Sequence, residues 1–357
     1  MGDVGILETT LRDGSYAINF QFTANDTAVI ASELEEVGFE YIEIGHGVGL
    51  GASRNGMGEA AETDVAYLEA AAGALSRAKY GMFCIPGVAS LDDIDMAAEM
   101  GMGFIRIGTN VTEMEESRDY IERAKRHDLF VTTNFMKSYT LEPKQFAEKA
   151  KLSQKFGSDL LYIVDSAGGM LKEEIEGYFR AVRDVSDIPL GYHGHDNLGC
   201  AISHSLFAAE LGASLIDGSL QGLGRSAGNA ATEILVVALK RMGYEMAIDP
   251  LKVMDISETY IKPLISKRGL DSIDVVTGYA QFHSSYMSVI KKYASKYRID
   301  PRRLIIGVCE HDKVNAPEWL VEDVARRLRS ESERVYVAKY KLHEYFGNEQ
   351  SNDLGKK

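Results

Sequence analysis

The chain has 357 residues, of which 45% are hydrophobic and 26% are charged, a composition typical of a globular protein that buries a large core rather than of a disordered chain. Its formal net charge of −14 argues against binding to nucleic acids or anionic membranes, because both need clustered lysine and arginine. Small-molecule or protein partners are therefore favoured.

Short apolar runs rich in β-branched and aromatic residues predict eight strands, at residues 4–8, 41–44, 81–85, 104–107, 130–133, 160–164, 190–193 and 214–217. Amphipathic patterns between them predict helices, for example at residues 27–37, 92–100, 117–127, 143–155, 173–185 and 201–211. Eight strand–helix units within about 240 residues predict an α/β fold, a (β/α)8 TIM barrel. A doubly wound open sheet is the competing arrangement.

After about residue 258 the pattern changes to helices without intervening strands, at residues 254–264, 282–297, 300–304 and 317–330. We therefore predict a TIM-barrel catalytic domain over residues 1–258 and a helical C-terminal extension over residues 259–345. The last stretch, residues 346–357, is polar, and we expect it to be disordered.

The expected compartment follows from features that the sequence lacks. The first residues carry no basic and apolar secretory segment, and no apolar run approaches the length of a membrane span. Cys84, Cys200 and Cys309 have no CxxC spacing, which indicates neither a disulfide framework nor a zinc ribbon. We expect a soluble protein in a reducing compartment, the cytoplasm.

In a (β/α)8 barrel the active site forms at the C-terminal ends of the strands, so the residues just after each predicted strand are the functional candidates. They are polar or metal-binding in most cases: Arg12, Asp13, Glu43, His46, Asn110, Asn134, Asp165, Ser166, His193, His195 and the loop 222–229. Their shared rim is the argument for a site, since no single motif supplies it.

Asp13, His193 and His195 are the candidate metal ligands. Residues two apart on a strand point to the same face, so both imidazoles can reach one centre that the carboxylate completes. Such a set suits a divalent cation with open positions for substrate oxygens, and ligand type alone does not select the ion. The alternative is a turn aspartate and two polar residues at a strand end. Asn229 could join the ligands, bind substrate or be structural.

Arg12 and Ser166 are candidates for binding negative charge. Arg12 cannot lose its proton and follows the first strand, so it could stabilise an enolate oxygen; a surface salt bridge is the alternative. Ser166 lies among small residues in 164–169 (VDSAGG), where a carboxylate could approach its hydroxyl and backbone N–H groups. A tight turn explains that segment equally well.

Five segments together resemble the DRE-TIM metallolyase superfamily, which includes hydroxymethylglutaryl-CoA lyase, and within it most closely the 4-hydroxy-2-oxovalerate aldolases. They are residues 10–14 (TLRDG), 42–47 (IEIGHG), 164–168 (VDSAG), 193–198 (HGHDNL) and 222–229 (GLGRSAGN). The resemblance continues beyond the barrel in 262–264 (KPL) and 278–285 (GYAQFHSS), so it covers most of residues 4–330.

The resemblance implies a divalent-metal-dependent aldolase or retro-aldolase, a carbon–carbon lyase that acts on a 2-oxo acid through a metal-bound pyruvate enolate. It implies that Asp13, His193 and His195 hold the metal and that Arg12 stabilises the enolate. Ser166 is expected near the pyruvate carboxylate, and His46 and Asn229 are assigned with it to the substrate site. Mn²⁺ is the first expectation, with Mg²⁺, Co²⁺ and Zn²⁺ as alternatives.

Two residues depart from the aldolase pattern. Tyr16 occupies the position of the family's usual catalytic histidine, and His283 occupies the position of its usual tyrosine. We interpret this as an exchange of two residues that lie together in the family, with His283 as the general base, because an ordinary imidazole titrates near pH 6.5 and a phenol near pH 10. Tyr16 would hydrogen-bond the substrate or orient the ring. The alternative for His283 is that it only caps the helix starting there.

Other consequences of the resemblance concern partners and competing functions. The substrates would be a 2-oxo acid and an aldehyde, whose pocket we expect to be shaped by Tyr16, Ile85, Val88, Asn110, Phe282 and His283. The extension could contact an acylating aldehyde dehydrogenase or form a homodimer, which we favour. The alternative functions are a Claisen-type condensing enzyme of the isopropylmalate or homocitrate synthase class and a non-catalytic scaffold barrel. Aldolase-like motifs in the extension argue against the first, and the intact ligand set with Arg12 argues against the second.

Overall fold

The computed structural model describes residues 4–265 and 272–331. Eight parallel strands follow one another around a closed barrel, and the last pairs with the first. They are β1 Gly5–Glu8, β2 Tyr41–Ile44, β3 Lys79–Cys84, β4 Phe104–Asn110, β5 Phe130–Met136, β6 Leu160–Asp165, β7 Leu190–Gly194 and β8 Leu215–Gly218. All eight predicted strands are present, so the (β/α)8 prediction is confirmed and the open-sheet alternative is wrong.

The helices of the barrel are α1 Ala24–Glu36, α2 Asp64–Ala74, α3 Leu91–Glu99, α4 Arg118–Arg126, α5 Pro143–Phe156, α6 Lys172–Arg183, α7 Ala201–Glu210 and α8 Thr232–Met242. Local sequence explains where they begin and end. Thr23 and Asp26 form a reciprocal capping box at the start of α1. Pro143 occupies the first turn of α5, which ends at Gly157 in the left-handed conformation.

Strand side chains alternate between two apolar layers. In β6, Leu160, Tyr162 and Val164 belong to a cluster with Leu7, Phe104 and Leu215 from other strands, inside the barrel. The intervening Leu161 and Ile163 belong to the larger cluster between strands and helices. Because side chains fill the barrel interior, the space for a substrate lies at the rim.

The helices beyond the barrel are α9 Pro250–Ile256, α10 Ser272–Ala280, α11 Met287–Tyr297, α12 Pro301–Cys309 and α13 Glu318–Glu331. Those from α10 onward surround an apolar core of their own. The helix predicted at 254–264 is split, since α9 passes into a π-helix at Ser257–Ile261 and a 3₁₀ turn at Lys262–Leu264.

Other details of the extension correct the sequence predictions. The helix predicted from residue 282 begins at Met287, because His283 is extended and caps a 3₁₀ turn at Ser284–Tyr286. The helix predicted at 300–304 is the longer α12, and α10 was not predicted. The predicted disordered tail, residues 346–357, lies outside the described residues.

The extension lies on the C-terminal rim of the barrel. Asn197, two residues after His195, donates hydrogen bonds to the Thr277 hydroxyl (2.7 Å) and the Asp274 carbonyl (3.2 Å) of α10. Gly278 permits this approach, since a Cβ there would lie 2.9 Å from Leu198 Cγ. The rim that carries the predicted active site is therefore covered by helices from outside the barrel.

The structure also bears on the cysteine and membrane predictions. Cys84, Cys200 and Cys309 are all free thiols, as their spacing predicts. Within residues 4–265 and 272–331, no helix is long and apolar enough to cross a bilayer.

Candidate active site and metal centre

A cavity of about 180 Å³ opens at the C-terminal rim of the barrel, beneath the extension. All but two of the predicted site residues line it: Arg12, Asp13, Tyr16, Ser166, His193, His195 and His283. Asn229 lies directly behind this wall and contacts Asp13. His46 does not line the cavity, and among the residues expected to shape the aldehyde pocket Phe282 turns instead into the apolar core of the extension.

Asp13, His193 and His195 converge as the spacing predicts. Each offers one ligand atom, and these atoms all lie within 4.8 Å of one another, with the two imidazole Nε2 atoms 3.5 Å apart. All three side chains are buried. Three donors this close can bind one cation and leave other coordination positions for a substrate.

The other ring nitrogen of each histidine orients its imidazole. His193 Nδ1 lies 2.7 Å from Asp217 Oδ2, and His195 Nδ1 lies 3.2 Å from the Gly228 carbonyl. Burial and the neighbouring His193 lower the pKa of His195 to about 3, so this imidazole is neutral. With Nδ1–H donating to these oxygens, both Nε2 atoms present lone pairs to the centre, as metal-binding histidines do.

The carboxylate of Asp13 is held in its charged form. Burial alone would raise the pKa of Asp13, but the charge of Arg12 is the largest opposing effect, and this pKa lies below its ordinary range. Asp13 accepts hydrogen bonds from Arg12 Nη1 (2.6 Å) and Asn229 Nδ2 (2.7 Å). The Asn229 Oδ1 atom is buried and has no hydrogen-bond partner within the described residues. The residues present therefore fit a divalent cation, with an amide oxygen nearby.

Arg12 lies between Asp13, one of the candidate metal ligands, and a second carboxylate, Glu43. Its Nε donates to Glu43 (2.7 Å), its Nη1 donates to Asp13, and the guanidinium lies 4.7 Å from the centre of the Phe83 ring. Its Nη2 makes no hydrogen bond with the part of the chain that the structure describes, and the side chain lines the cavity. A donor thus faces the place where substrate would bind.

Arg106 was missed by the sequence predictions. It is fully buried in β4 and contacts Glu43 (3.5 Å) and Asp217 (2.5 Å), which themselves contact Arg12 and His193. A chain of ion pairs therefore connects Arg12 in the cavity to His193, a candidate metal ligand, through the barrel interior. A lone arginine within the apolar run 104–107 (FIRI) is the sequence signal that could have identified it.

The Ser166 segment forms the predicted tight turn and also places the side chain of Ser166 in the cavity wall. Ser166 lines the cavity, and its hydroxyl accepts a 3.0 Å hydrogen bond from the backbone of Lys137. The following N–H groups of Gly169 and Met170 donate to the carboxylate of Asp165. These amides close a tight turn and are not available to an anion, whereas the serine hydroxyl is.

His46 organises the loop after β2. Its ring stacks on Phe20 with centroids 3.9 Å apart, its Nδ1 accepts from the backbone of Val48 (3.0 Å), and its Nε2 lies 3.3 Å from the Gly58 carbonyl. Burial lowers the pKa of His46 to about 4. The structure therefore occupies both ring nitrogens within the loop and does not bring them to the substrate cavity.

His283 and Tyr16 line the same cavity, with Arg225 between them. His283 Nδ1 lies 2.6 Å from the Ser285 hydroxyl and 3.4 Å from its backbone nitrogen, so the ring also caps the 3₁₀ turn. Burial, Arg225 and Lys137 hold the pKa of His283 well below its ordinary value, which keeps it neutral. The Arg225 guanidinium lies 5.2 Å from the centre of the Tyr16 ring, and its Nε donates to Ser284 (2.8 Å).

Comparison with known protein families gives a match over most of the barrel. The pattern of the HMGL-like family matches residues 3–260. The 4-hydroxy-2-oxovalerate aldolase of Pelotomaculum thermopropionicum is 37% identical over 334 residues, which are 93% of this chain and 98% of that protein. The 4-hydroxy-2-oxovalerate aldolase of Moorella thermoacetica is 37% identical over 91% of this chain and 96% of its own length.

Solved structures with similar folds include an aldolase domain and a larger enzyme. The N-terminal domain of a putative aldolase from Bacteroides vulgatus has a TM-score of 0.66 and 27% identity, covering 77% of this chain and 92% of that domain. The carboxyl transferase domain of Rhizobium etli pyruvate carboxylase has a TM-score of 0.75 over 92% of this chain and 61% of that one. Its sequence identity is 17%, so this likeness concerns the fold alone.

Proposed function

The chain belongs to the HMGL-like family, as its motifs predict, and from this membership we infer that it is a metal-dependent carbon–carbon lyase, an aldolase or retro-aldolase acting on a 2-oxo acid. Pyruvate is its nucleophile or product. The observation that carries the proposal is the convergence of Asp13, His193 and His195 beside Arg12 in one cavity. A divalent cation held by these three side chains would polarise the 2-oxo group and favour negative charge on its oxygen.

Arg12 stabilises the enolate that forms when the carbon–carbon bond breaks. Its charge is permanent, and Glu43 and Asp13 hold its Nε and Nη1 so that the guanidinium is oriented before substrate arrives. In cleavage the electron pair of the C3–C4 bond passes to the enolate. A fixed positive group there costs no reorganisation at the moment of reaction.

Ser166 binds the carboxylate of the 2-oxo acid. Its oxygen accepts from the backbone of Lys137, so the hydroxyl proton remains available to donate to an anion. This hydroxyl and the three proposed metal ligands line one cavity of about 180 Å³, a volume that suits a small 2-oxo acid.

His283 is the general base for the 4-hydroxyl group. In the tautomer with its proton on Nδ1, His283 donates to the Ser285 hydroxyl and gives up the 3.4 Å cap from the Ser285 backbone. Its Nε2 then carries a lone pair and accepts the hydroxyl proton as the C3–C4 bond breaks. The products are an aldehyde and the pyruvate enolate, which is then protonated at C3. Tyr16, which lines the same cavity and lies beside Arg225, positions the substrate hydroxyl.

Finer points of the proposal concern the ion and the assembly. Mn²⁺ is our first choice of metal, ahead of Mg²⁺, Co²⁺ and Zn²⁺; this choice follows the resemblance to the aldolase family, because one carboxylate and two imidazoles can bind any of the four. We also propose a homodimer, with an acylating aldehyde dehydrogenase as the alternative partner. The support is that the extension exposes Tyr279 and Trp319, each 71% accessible.

The test compares two reactions of the same preparation, aldol cleavage and Claisen-type condensation. Protein purified with Mn²⁺ should release pyruvate from 4-hydroxy-2-oxovalerate and should exchange the C3 protons of pyruvate with deuterium, measured by NMR. The same preparation should not release thiol from acetyl-CoA with a panel of 2-oxo acids. Thiol release without pyruvate release or exchange would favour the Claisen-type alternative and overturn the proposal.

A further inference from the structure

Lys137 is a buried cation in the wall of the cavity, at the C-terminal end of β5. Its side chain is only 2% exposed, and its Nζ donates to the Val314 carbonyl (2.6 Å) and the Tyr286 hydroxyl (3.3 Å) of the extension. Both acceptors are neutral, and no carboxylate within the described residues pairs with this ammonium group. Buried lysines are ordinarily paired with an acid.

Arg225 brings a second positive charge to the same wall. Its side chain is 8% exposed, contacts Tyr16 and Ser284, and lies close enough to Lys137 for the two charges to repel. Burial, followed by this repulsion, lowers the pKa of Lys137 to about 8, so the lysine remains largely charged at neutral pH. Glu113 and Asp312 have opposite and smaller effects on the pKa of Lys137, and Glu113 is an exposed residue that lines the cavity.

Lys137 and Arg225 line the same cavity, and two buried positive charges that repel each other cost free energy, which an anion bound by both would recover. The same anion would also oppose the lowering of the pKa of His283, which burial causes first and Arg225 and Lys137 increase. The metal ligands, Arg12 and Ser166 already account for the 2-oxo acid end of the substrate. Lys137 reaches away from that end, because its backbone nitrogen contacts Ser166 and its ammonium group contacts the extension.

We propose that the aldehyde half of the substrate carries an anionic group, a carboxylate or a phosphate, and that Lys137 and Arg225 bind it. This inference rests on the proposed aldolase function and adds a substrate class to it. The enzyme would join pyruvate to an aldehyde that carries a carboxylate or phosphate group. In the reverse direction it would cleave a 4-hydroxy-2-oxo acid that has such a group at its far end. A charge-assisted contact of this kind favours the anionic substrate by about 10–100-fold.

The experiment measures aldol addition of pyruvate to matched pairs of aldehydes with Mn²⁺ present. Succinic semialdehyde is compared with butanal, and glycolaldehyde phosphate with glycolaldehyde, so the two pairs separate carboxylate from phosphate. We expect kcat/KM for one anionic aldehyde to exceed that of its neutral partner by at least about 10-fold. Equal kcat/KM values in both pairs would overturn the inference.

Two variants assign the preference to Lys137. Lys137→Gln should reduce the ratio of anionic to neutral kcat/KM to within about 3-fold of unity, because the amide keeps the hydrogen bonds but not the charge. Lys313→Gln is the matched control, an exposed lysine beside Val314 that contacts Gln281 and does not line the cavity. A ratio that survives Lys137→Gln, or that falls equally in Lys313→Gln, would contradict the assignment.

Deuterium exchange into pyruvate separates this inference from the function on which it rests, since exchange needs no aldehyde. Exchange together with equal use of charged and neutral aldehydes would leave the aldolase function standing and overturn the inference. Absence of exchange would overturn both.

Discussion

The two halves of the active-site cavity differ in how their charged side chains are arranged. The metal half, comprising Arg12, Asp13, His193 and His195, comes entirely from the barrel, and each charge in it meets an opposite one through Glu43, Arg106 and Asp217. The extension half, comprising Lys137, Arg225 and His283, brings basic groups together where the barrel meets the C-terminal helices. The difference matches the two tasks that we propose: chemistry on the 2-oxo acid in the metal half and recognition of the far end of the aldehyde in the extension half.

The largest effect expected is in the metal half. His195→Ala should remove the bound metal and reduce pyruvate release by about 10³–10⁴-fold, since the cation supplies several kcal/mol of charge stabilisation. Elemental analysis should show about one divalent ion per wild-type chain and almost none in the variant. His127→Ala, which changes a half-buried histidine paired with Asp95, is the control and should keep its metal. Full metal content in His195→Ala would contradict the ligand assignment.

The next largest effect tests whether the extension half takes part in chemistry. His283→Ala should lower kcat by about 10²–10⁴-fold, the usual size of a general-base effect, without loss of metal. Tyr16→Phe should cost about 10-fold or less, because it removes one hydrogen-bonding group. Steady-state pyruvate release measures both. Near-normal turnover in the histidine variant, or a larger loss at Tyr16, would show that the two roles were not exchanged.

A smaller effect tests the balanced network behind the metal half. Asp217→Asn should weaken metal affinity by about 10–100-fold, because the carboxylate orients His193 and increases its basicity. Glu43→Gln is the matched variant, since it removes a carboxylate from the same Arg106 without touching a histidine. Titration with Mn²⁺, alongside circular dichroism to verify folding, measures the difference. Equal affinity losses in both variants would indicate a general effect of the network.

The smallest effect concerns the support for Lys137. Tyr286→Phe removes the hydroxyl that accepts from Lys137 and should lower the ratio of anionic to neutral kcat/KM by about 3-fold, the value of one modest hydrogen bond. Pyruvate exchange should change less than this ratio, because exchange depends on the metal half. A larger loss in exchange than in the ratio would place Tyr286 with the metal half instead.

The strands, their order around the barrel and the convergence of Asp13, His193 and His195 could all be predicted from local sequence. A strand needs only a short apolar run, and parallel strands of a closed barrel bring their C-terminal ends to one rim. Once the fold class is predicted, Asp13 and the two histidines are therefore expected to lie close together at this rim. Because the barrel repeats one strand–helix unit, this part of the molecule can be predicted without knowledge of contacts between residues distant in sequence.

Other parts depended on contacts between residues distant in sequence. Arg106 lies in an apolar strand, and its role arises only when β2 and β8 bring Glu43 and Asp217 to it. The burial of Lys137 depends on a contact distant in sequence, since its Nζ donates to the carbonyl of Val314, 177 positions away. Without such a contact, an ammonium group in a loop is ordinarily a solvated surface charge. His46 follows a strand end like the true cavity residues, yet its neighbours Val48 and Gly58 turn its ring into the loop. The side-chain pattern of a strand follows from local backbone geometry. The environment of a charged side chain, in contrast, is set by residues that only the folded chain places next to it.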